Sequence, residues 1–166
     1  MKKGFTLVEL IIVVTILGIL AAIVLPEFQG HAAESRESAV KTSLHAVRSQ
    51  IELYKIQHNG LHPGYVGASG VTSGMFINQL AGTSRIDGFP SSSRTPSDPF
   101  LYGPYLMEWP ANPYNNLSTV TIVPEATTDF AVAADDSTGW LYHKETATFK
   151  VNTTGTDSQG ISYADY

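Results

Sequence analysis

The 166-residue chain contains no cysteine, so no disulfide can hold any part of it together. Its last residues must therefore be held by packing, hydrogen bonds or a metal ion. Basic residues are scarce from Gly60 onward, where four Lys or Arg stand against ten Asp or Glu. Because contacts to phosphate need clustered Lys and Arg, this acidic balance argues against nucleic acid as a partner.

The sequence also lacks the motifs of catalysis and cofactor binding. It contains no Gly-x-Ser-x-Gly elbow, phosphate-binding loop, dinucleotide fingerprint or zinc-ligand spacing. We therefore expect no enzymatic activity and no required cofactor. The histidines are scattered, and we expect all five to be solvated surface residues: His31, His45, His58, His62 and His143.

Charge is almost absent between Phe5 and Leu25. As a helix, these residues span about 31 Å, which matches the roughly 30 Å hydrocarbon core of a bilayer. Glu9 is the exception, and an unpaired charge at this depth costs at least ~2.5–3.5 kcal/mol. No cation lies between Phe5 and Glu27. A new amino terminus at Phe5 would supply a cationic partner if the chain were cut after Gly4.

Two ordinary explanations of this segment fit it less well. A secretory signal has an apolar core of roughly 7–15 residues and a small-x-small cleavage site. This segment is longer and offers only Ala21-Ala22 as such a site. A plain signal anchor fits the length but leaves Glu9 unexplained. In either case Lys2 and Lys3 predict a cytoplasmic amino terminus, so the residues after Leu25 lie outside the cytoplasm.

The start of the chain reads Lys3-Gly4-Phe5-Thr6-Leu7-Val8-Glu9-Leu10. This segment resembles the class III leader of type IV pilins and type II secretion pseudopilins. In that family a prepilin peptidase cleaves after the glycine and methylates the new terminal phenylalanine. The resemblance implies cleavage after Gly4, methylation of Phe5 and a role for Glu9 in assembly. It implies four partners: copies of the chain itself, the prepilin peptidase, an inner-membrane assembly platform and, before assembly, membrane lipid.

The N-terminal helix is predicted to continue beyond the apolar stretch. Pro26 predicts a kink or a local opening, and Gly18 weakens the helix. In assembled members of the resembled family, the segment that corresponds to Gly18–Pro26 often loses helical order. From Glu27 to His58 the pattern is amphipathic, and Asn59-Gly60 predicts the stop. The apolar stripe consists of Ala33, Val40, Leu44, Val47, Ile51 and Tyr54.

The residues from 60 to 166 are predicted to form a head. A short helix is expected between a cap at Ser73 and Gly82. Strands are expected at four places: 119–123, 130–134, 139–143 and 148–151. The predicted fold class is α+β and pilin-like, with a long helix packed on a small antiparallel sheet. Its parts are a leader (1–4), a transmembrane helix (5–25), an amphipathic helix (26–59) and the head (60–166).

The acids near the end of the chain are the one predicted metal site. The segments Gly155-Thr156-Asp157 and Tyr163-Ala164-Asp165 resemble the calcium loop of major pseudopilins. This resemblance implies a calcium ion at Asp157 and Asp165, since calcium favours carboxylates on irregular backbone. A solvated polar tail is the alternative.

Two further groups of residues allow a binding or modification role. A set of aromatic residues predicts either core packing or a sugar-binding platform: Tyr102, Tyr105, Trp109, Tyr114, Trp140 and Tyr142. Asn116 and Asn152 each begin a glycosylation sequon.

The predicted function is structural: a subunit of a type IV-like filament in the bacterial inner membrane, crossing it once. The missing cysteines favour the major pseudopilin of a type II secretion system, because many type IV pilins resemble one another in a C-terminal disulfide loop. The Asp-Pro-Trp-Gly string typical of major pseudopilins is absent. A type IV pilin for adhesion, motility or DNA uptake is the alternative within the family. A membrane-tethered glycan-binding module is the alternative from another class, and it has no use for Glu9.

Overall fold

The computed structural model describes residues 5–126, 129–157 and 159–166. For residues 25–31 it describes the backbone alone. Contacts divide the chain into two units, one ending at Ser38 and one from Ala39 to Tyr166. The helices are α1 (Leu7–Gln57), α2 (Ser73–Ala81) and α3 (Phe130–Ala133), with a short 3-10 helix at Tyr163–Asp165. The strands are β1 (Tyr65–Val66), β2 (Ser69–Gly70), β3 (Thr83–Ser84), β4 (Pro90–Ser91), β5 (Val120–Ile122), β6 (Trp140–His143) and β7 (Thr148–Val151). These elements confirm the α+β fold class.

Helix α1 is continuous through both residues that were predicted to weaken it, Gly18 and Pro26. The predicted local opening at Pro26 is therefore not seen in α1. A proline removes one N–H donor from the helical ladder, and the helix continues on both sides of Pro26. The loss of helical order on assembly concerns the filament, and it stays a prediction.

The end of α1 has the geometry that the Asn59-Gly60 pair predicts. Asn59 takes a left-handed conformation with φ of 56°, and the Gly60 N–H donates to the Lys55 carbonyl at 2.8 Å. This bond closes the last turn as a Schellman motif, which satisfies a carbonyl that the helix leaves open. The predicted stop is confirmed.

The core of the second unit is built on the apolar stripe of α1. Five of the six predicted stripe residues are buried, and the first, Ala33, is exposed. Full burial of one large apolar side chain stabilises a fold by roughly 1.5–3 kcal/mol, so this stripe is a main source of stability. The other buried members of the cluster are Phe76, Leu80, Val120, Trp140, Tyr142, Phe149 and Val151.

The main sheet has three strands in the order β5-β6-β7. Strands β6 and β7 pair antiparallel, with Tyr142 opposite Phe149, which confirms the predicted hairpin. Strand β5 lies where the alternating Val and Ile predicted it, but it joins β6 in parallel, with Val120 opposite Trp140. A parallel pair needs a long crossover, and the chain between Ile122 and Trp140 provides one.

The crossover contains α3, and the strand predicted in this region is wrong. A strand was expected at 130–134, whereas Phe130–Ala133 is helical. The Asp129 carboxylate accepts hydrogen bonds from the N–H groups of Ala131 and Val132, at 2.9 and 3.3 Å. This is an N-cap, and it stabilises a helical turn where hydrophobicity alone was ambiguous.

The segment between α1 and β5 is fastened by a buried amide. Gln79 of α2 accepts a hydrogen bond from the Gly64 N–H at 2.7 Å. Its amide nitrogen donates to the carbonyls of Tyr65 and Gly88, both at 2.7 Å. The predicted helix α2 is confirmed, but Thr72 rather than Ser73 is its N-cap.

Candidate assembly site

The N-terminal part of α1 exposes its large apolar side chains. From Phe5 to Val24 their exposed fractions run from 46% to 82%. Among the described residues, Leu7–Val24 is a segment long and apolar enough to cross a membrane, judged by length and composition. A helix that is apolar on every side is normally buried in a membrane or among other helices. These side chains therefore need a cover of lipid or of apolar helices.

Glu9 is held by the residue that precedes the helix. The N–H and the hydroxyl of Thr6 donate to Glu9 Oε2 at 2.9 and 2.7 Å, and the Glu9 N–H donates to Thr6 Oγ1 at 3.2 Å. This reciprocal pair is a capping box, for which Thr-x-x-Glu is the sequence signature. The signature was visible in the sequence. Only a cationic partner was predicted for Glu9, and the capping partner Thr6 was missed.

The capping box uses one oxygen of the Glu9 carboxylate. Both bonds from Thr6 reach Oε2, and within the described residues no hydrogen bond or ion pair reaches Oε1. Phe5 adjoins Thr6 and is exposed. Gly4, the predicted cleavage residue, lies outside the described residues. The cap therefore leaves Oε1 unused among the described residues, and the pairing of Glu9 with an amine stays a prediction.

Gly18 and Pro26, the residues predicted to give the helix flexibility, lie on the described backbone of α1. A Cβ at Gly18 would meet no described atom within 4 Å, so packing inside this chain does not require glycine there. Nearby, the Thr15 hydroxyl donates to the Ile11 carbonyl at 2.8 Å. Such back-bonds often bend helices. The flexibility assigned to Gly18 and Pro26 stays a prediction.

The two acids of the predicted calcium site have different surroundings. Asp157 is buried, and its carboxylate accepts three hydrogen bonds, from the Tyr166 hydroxyl and the N–H groups of Gln159 and Ile161. These donors, with the Tyr166 hydroxyl first, hold its pKa below the ordinary value. Asp165 is exposed, and no described hydrogen bond reaches its carboxylate. In the described part of the chain, no group of three His, Cys, Asp or Glu is placed to hold a metal ion.

The residues present do not fit calcium as they stand. Calcium takes six to eight oxygen ligands, and three of the roughly four lone-pair sites of the Asp157 carboxylate are already used. An ion could bind there only by displacing those donors. The calcium prediction stays untested.

The expectation that all histidines are solvated is wrong for two of them. His58 is 1% exposed and His143 is 4% exposed. His143 accepts a hydrogen bond from the Thr146 N–H at its Nδ1 atom and lies 3.2 Å from the Glu125 carbonyl through Nε2. Both rings thus have structural partners, and neither belongs to a metal cluster among the described residues.

Of the six aromatic residues considered as a sugar platform, two are core residues and four are partly buried. Trp140 and Tyr142 are fully buried. Phe76 stacks on Tyr142 with ring centroids 4.2 Å apart, and Trp109 meets Phe149 edge-on at 5.8 Å. These contacts support the core-packing interpretation for Trp109, Trp140 and Tyr142.

One of the two sequons is inaccessible. Asn152 is buried, its Oδ1 accepts from the Asp135 N–H at 2.8 Å, and its Nδ2 donates to the Thr138 hydroxyl at 2.8 Å. A second buried amide, Asn112, donates to the Thr153 hydroxyl at 2.8 Å. Asn152 joins the end of β7 to the crossover, and Asn112 joins the segment before β5 to the residues after β7. The sequence did not reveal either role. Asn116, in the other sequon, is exposed.

Comparison with known proteins agrees with the leader motif. Residues 1–25 match a family model described as the prokaryotic N-terminal methylation motif. A type IV major fimbrial protein of Dichelobacter nodosus is 40% identical over 70 residues, 42% of this chain and 45% of the relative. A type IV major pilin protein of Neisseria gonorrhoeae is 38% identical over 77 residues, 46% of each chain. The type II secretion system core protein G of Escherichia coli is 24% identical over 99 residues, 60% of this chain and 67% of the relative.

No solved structure matches the chain. The chain spans less than half the length of the fimbrial relatives that it matches. Within that region the relationship is plain. The chain carries a class III prepilin leader and is homologous to type IV pilins and to the type II secretion protein G.

Proposed function

We propose that the chain is a structural subunit of a type IV-like filament, held in the bacterial inner membrane by its N-terminal helix before assembly. The observation that carries the proposal is the methylation motif at residues 1–25, joined directly to a helix whose apolar side chains are exposed. Lipid covers those side chains before assembly, and the same helices of other copies cover them afterwards. The chain is then a substrate of prepilin peptidase and of the assembly platform, and not an enzyme.

Within that class, we propose the pseudopilus of a type II secretion system. The match to protein G supports this choice, because it covers 60% of this chain and 67% of the relative, a larger share of both than the fimbrial matches cover. The missing cysteines support it as well. A surface pilus for adhesion, motility or DNA uptake is the second candidate, favoured by the higher identities to fimbrial proteins.

Processing is the first test of the proposed function. The mature protein should begin at Phe5 and carry a methylated amine, which remains cationic. Intact-mass analysis of protein purified from membranes measures this directly. A mature chain that begins at Met1, or after Ala22, would contradict the filament-subunit proposal.

The choice between the two systems needs a test in cells. Deleting the gene should reduce the amount of secreted protein while leaving surface motility unchanged. Complementation with the parent gene should restore secretion, and a Glu9→Ala gene is the matched control that should not. Loss of motility with normal secretion would favour the surface pilus instead.

A further inference from the structure

The last residues of the chain form a closed loop without a disulfide. Thr156 pairs with Ser162 in an isolated antiparallel bridge, and the 3-10 helix Tyr163–Asp165 follows. The sequence left three ways to hold this loop: packing, hydrogen bonds or a metal ion. The contacts of Asp157 and Tyr166 distinguish between them.

Asp157 ties the two ends of this loop together. Its Oδ1 atom accepts from the N–H groups of Gln159 and Ile161, both at 2.8 Å. Its Oδ2 atom accepts from the hydroxyl of Tyr166 at 2.7 Å. Hydrogen bonds to an ionised carboxylate are roughly twice as strong as neutral ones, and this carboxylate is buried.

Tyr166 in turn attaches the loop to α1. The Arg48 guanidinium donates to the backbone oxygen of Tyr166, and through Nε and Nη2 to the Phe149 carbonyl at 3.0 and 2.8 Å. The Lys41 ammonium lies 4.5 Å from the centroid of the Tyr166 ring, a favourable cation–π distance. One arginine therefore joins α1, β7 and the end of the loop.

We propose that Asp157 and Tyr166 form a metal-free clasp, in which the Asp157 carboxylate closes the C-terminal loop and Tyr166 attaches it to Arg48 on α1. The donors on Asp157 occupy the positions that a calcium ion would need. Asp165, the other acid of the predicted calcium pair, takes no part in the clasp. The clasp is independent of the proposed function, since its test measures stability and not assembly.

The test uses the full-length chain in detergent and three variants. Asp157→Ala removes the closing carboxylate, and Tyr166→Phe removes one donor while keeping the ring over Lys41. Asp165→Asn is the matched control, because it neutralises the other acid of the predicted calcium pair, whose exposed carboxylate accepts no described hydrogen bond. Melting midpoints are measured for each with excess calcium and with chelator.

The clasp predicts that calcium and chelator give equal midpoints for the parent. Asp157→Ala should lower the midpoint by about 5 °C or more, as expected for the loss of several charge-assisted bonds in a domain of this size. Tyr166→Phe should lower it by a smaller amount, and Asp165→Asn should leave it unchanged. Hydrogen exchange should also show faster exchange at the Gln159 and Ile161 amides in Asp157→Ala alone.

Two results would overturn the clasp. A midpoint that calcium raises in the parent, and that no longer responds in Asp157→Ala and Asp165→Asn, would establish the metal site instead. If Asp157→Ala and Tyr166→Phe both match the parent in midpoint and in amide exchange, the tail is merely solvated.

Discussion

His58 lies just beyond α1 and is buried, with its ring stacked on Tyr54 at 3.7 Å between centroids. Its Nδ1 atom lies 2.9 Å from the Tyr54 carbonyl, and its Nε2 atom lies 2.9 Å from the Ser84 hydroxyl. Burial lowers the pKa of this imidazole, although the backbone of Tyr54 and Arg85 and the Asp87 carboxylate act in the opposite direction. Two further rings face it, those of Tyr102 and Tyr105.

We expect this histidine to make the protein less stable in acid. The ordinary histidine pKa is about 6.5, and the folded-state pKa of His58 lies below its ordinary value. Between these two values the unfolded chain binds more protons, so the free energy of unfolding decreases as the pH falls. His58→Gln should remove this part of the pH dependence. Melting midpoints of the full-length chain, measured from about pH 8 to about pH 5, test it.

His45→Gln is the matched control for that series, because His45 is exposed on α1, whereas His58 is buried just beyond it. Its midpoints should follow the parent's curve. If His58→Gln remains as sensitive to acid as the parent, another group causes the loss and the buried-histidine explanation is wrong.

Whether the role of a residue could be predicted depends on how far along the chain its contact partner lies. Thr6 caps Glu9 from three residues away, and the Thr-x-x-Glu signature could have predicted it. His58 contacts Ser84, 26 positions further on. Nothing in the sequence around His58 indicates that contact, so its burial could not be predicted.

Among the elements, α1 is predicted well because its signals are local. The spacing of its apolar residues and the Asn59-Gly60 pair are both short-range sequence patterns that predict the helix and its end. The helix ends at Gln57, close to that pair. Its start was predicted at Phe5, but the helix begins at Leu7 because Thr6 takes the cap position. The β6–β7 hairpin was predicted for the same reason, from two short strand patterns around a turn.

The crossover from β5 to β6 shows where local signals fail. The run from Phe130 to Ala134 is short and apolar, and it has no period that separates helix from strand. The Asp129 cap selects the helix. With a helix in the connection, β5 reaches β6 in the parallel direction. Strand direction depends on this connection as a whole, and no single residue of β5 indicates it.

At the scale of the whole molecule, charge alone opposes assembly. The chain has a formal net charge of −5, and cleavage after Gly4 would remove Lys2 and Lys3 and make it −7. Like charges on neighbouring copies repel. Attraction must then come from the apolar side chains between Phe5 and Val24, which are exposed in the single chain. In this region Glu9 is the one acid, so we expect its pairing to affect whether a copy can join.

Glu9 has two possible roles, a cap for α1 and a charge that pairs with the processed amine of another copy, and two variants separate them. Glu9→Gln keeps the capping box, since Gln also serves at this position, but removes the charge. Thr6→Val removes the capping hydroxyl and keeps the charge. We expect both to insert into the membrane. Glu9→Gln should reduce the assembled fraction about tenfold or more, the factor that ~1.4 kcal/mol of lost pairing gives, whereas Thr6→Val should assemble about as well as the parent.

To measure the assembled fraction, filaments are sheared from cells that express each variant, and the sheared and membrane fractions are compared by immunoblot. Glu9→Ala removes both roles at once and should assemble no better than Glu9→Gln. Equal amounts of each variant in the membrane fraction before shearing confirm insertion. If Glu9→Gln assembles normally while Thr6→Val does not, Glu9 acts as a helix cap, and pairing with the processed amine does not drive assembly.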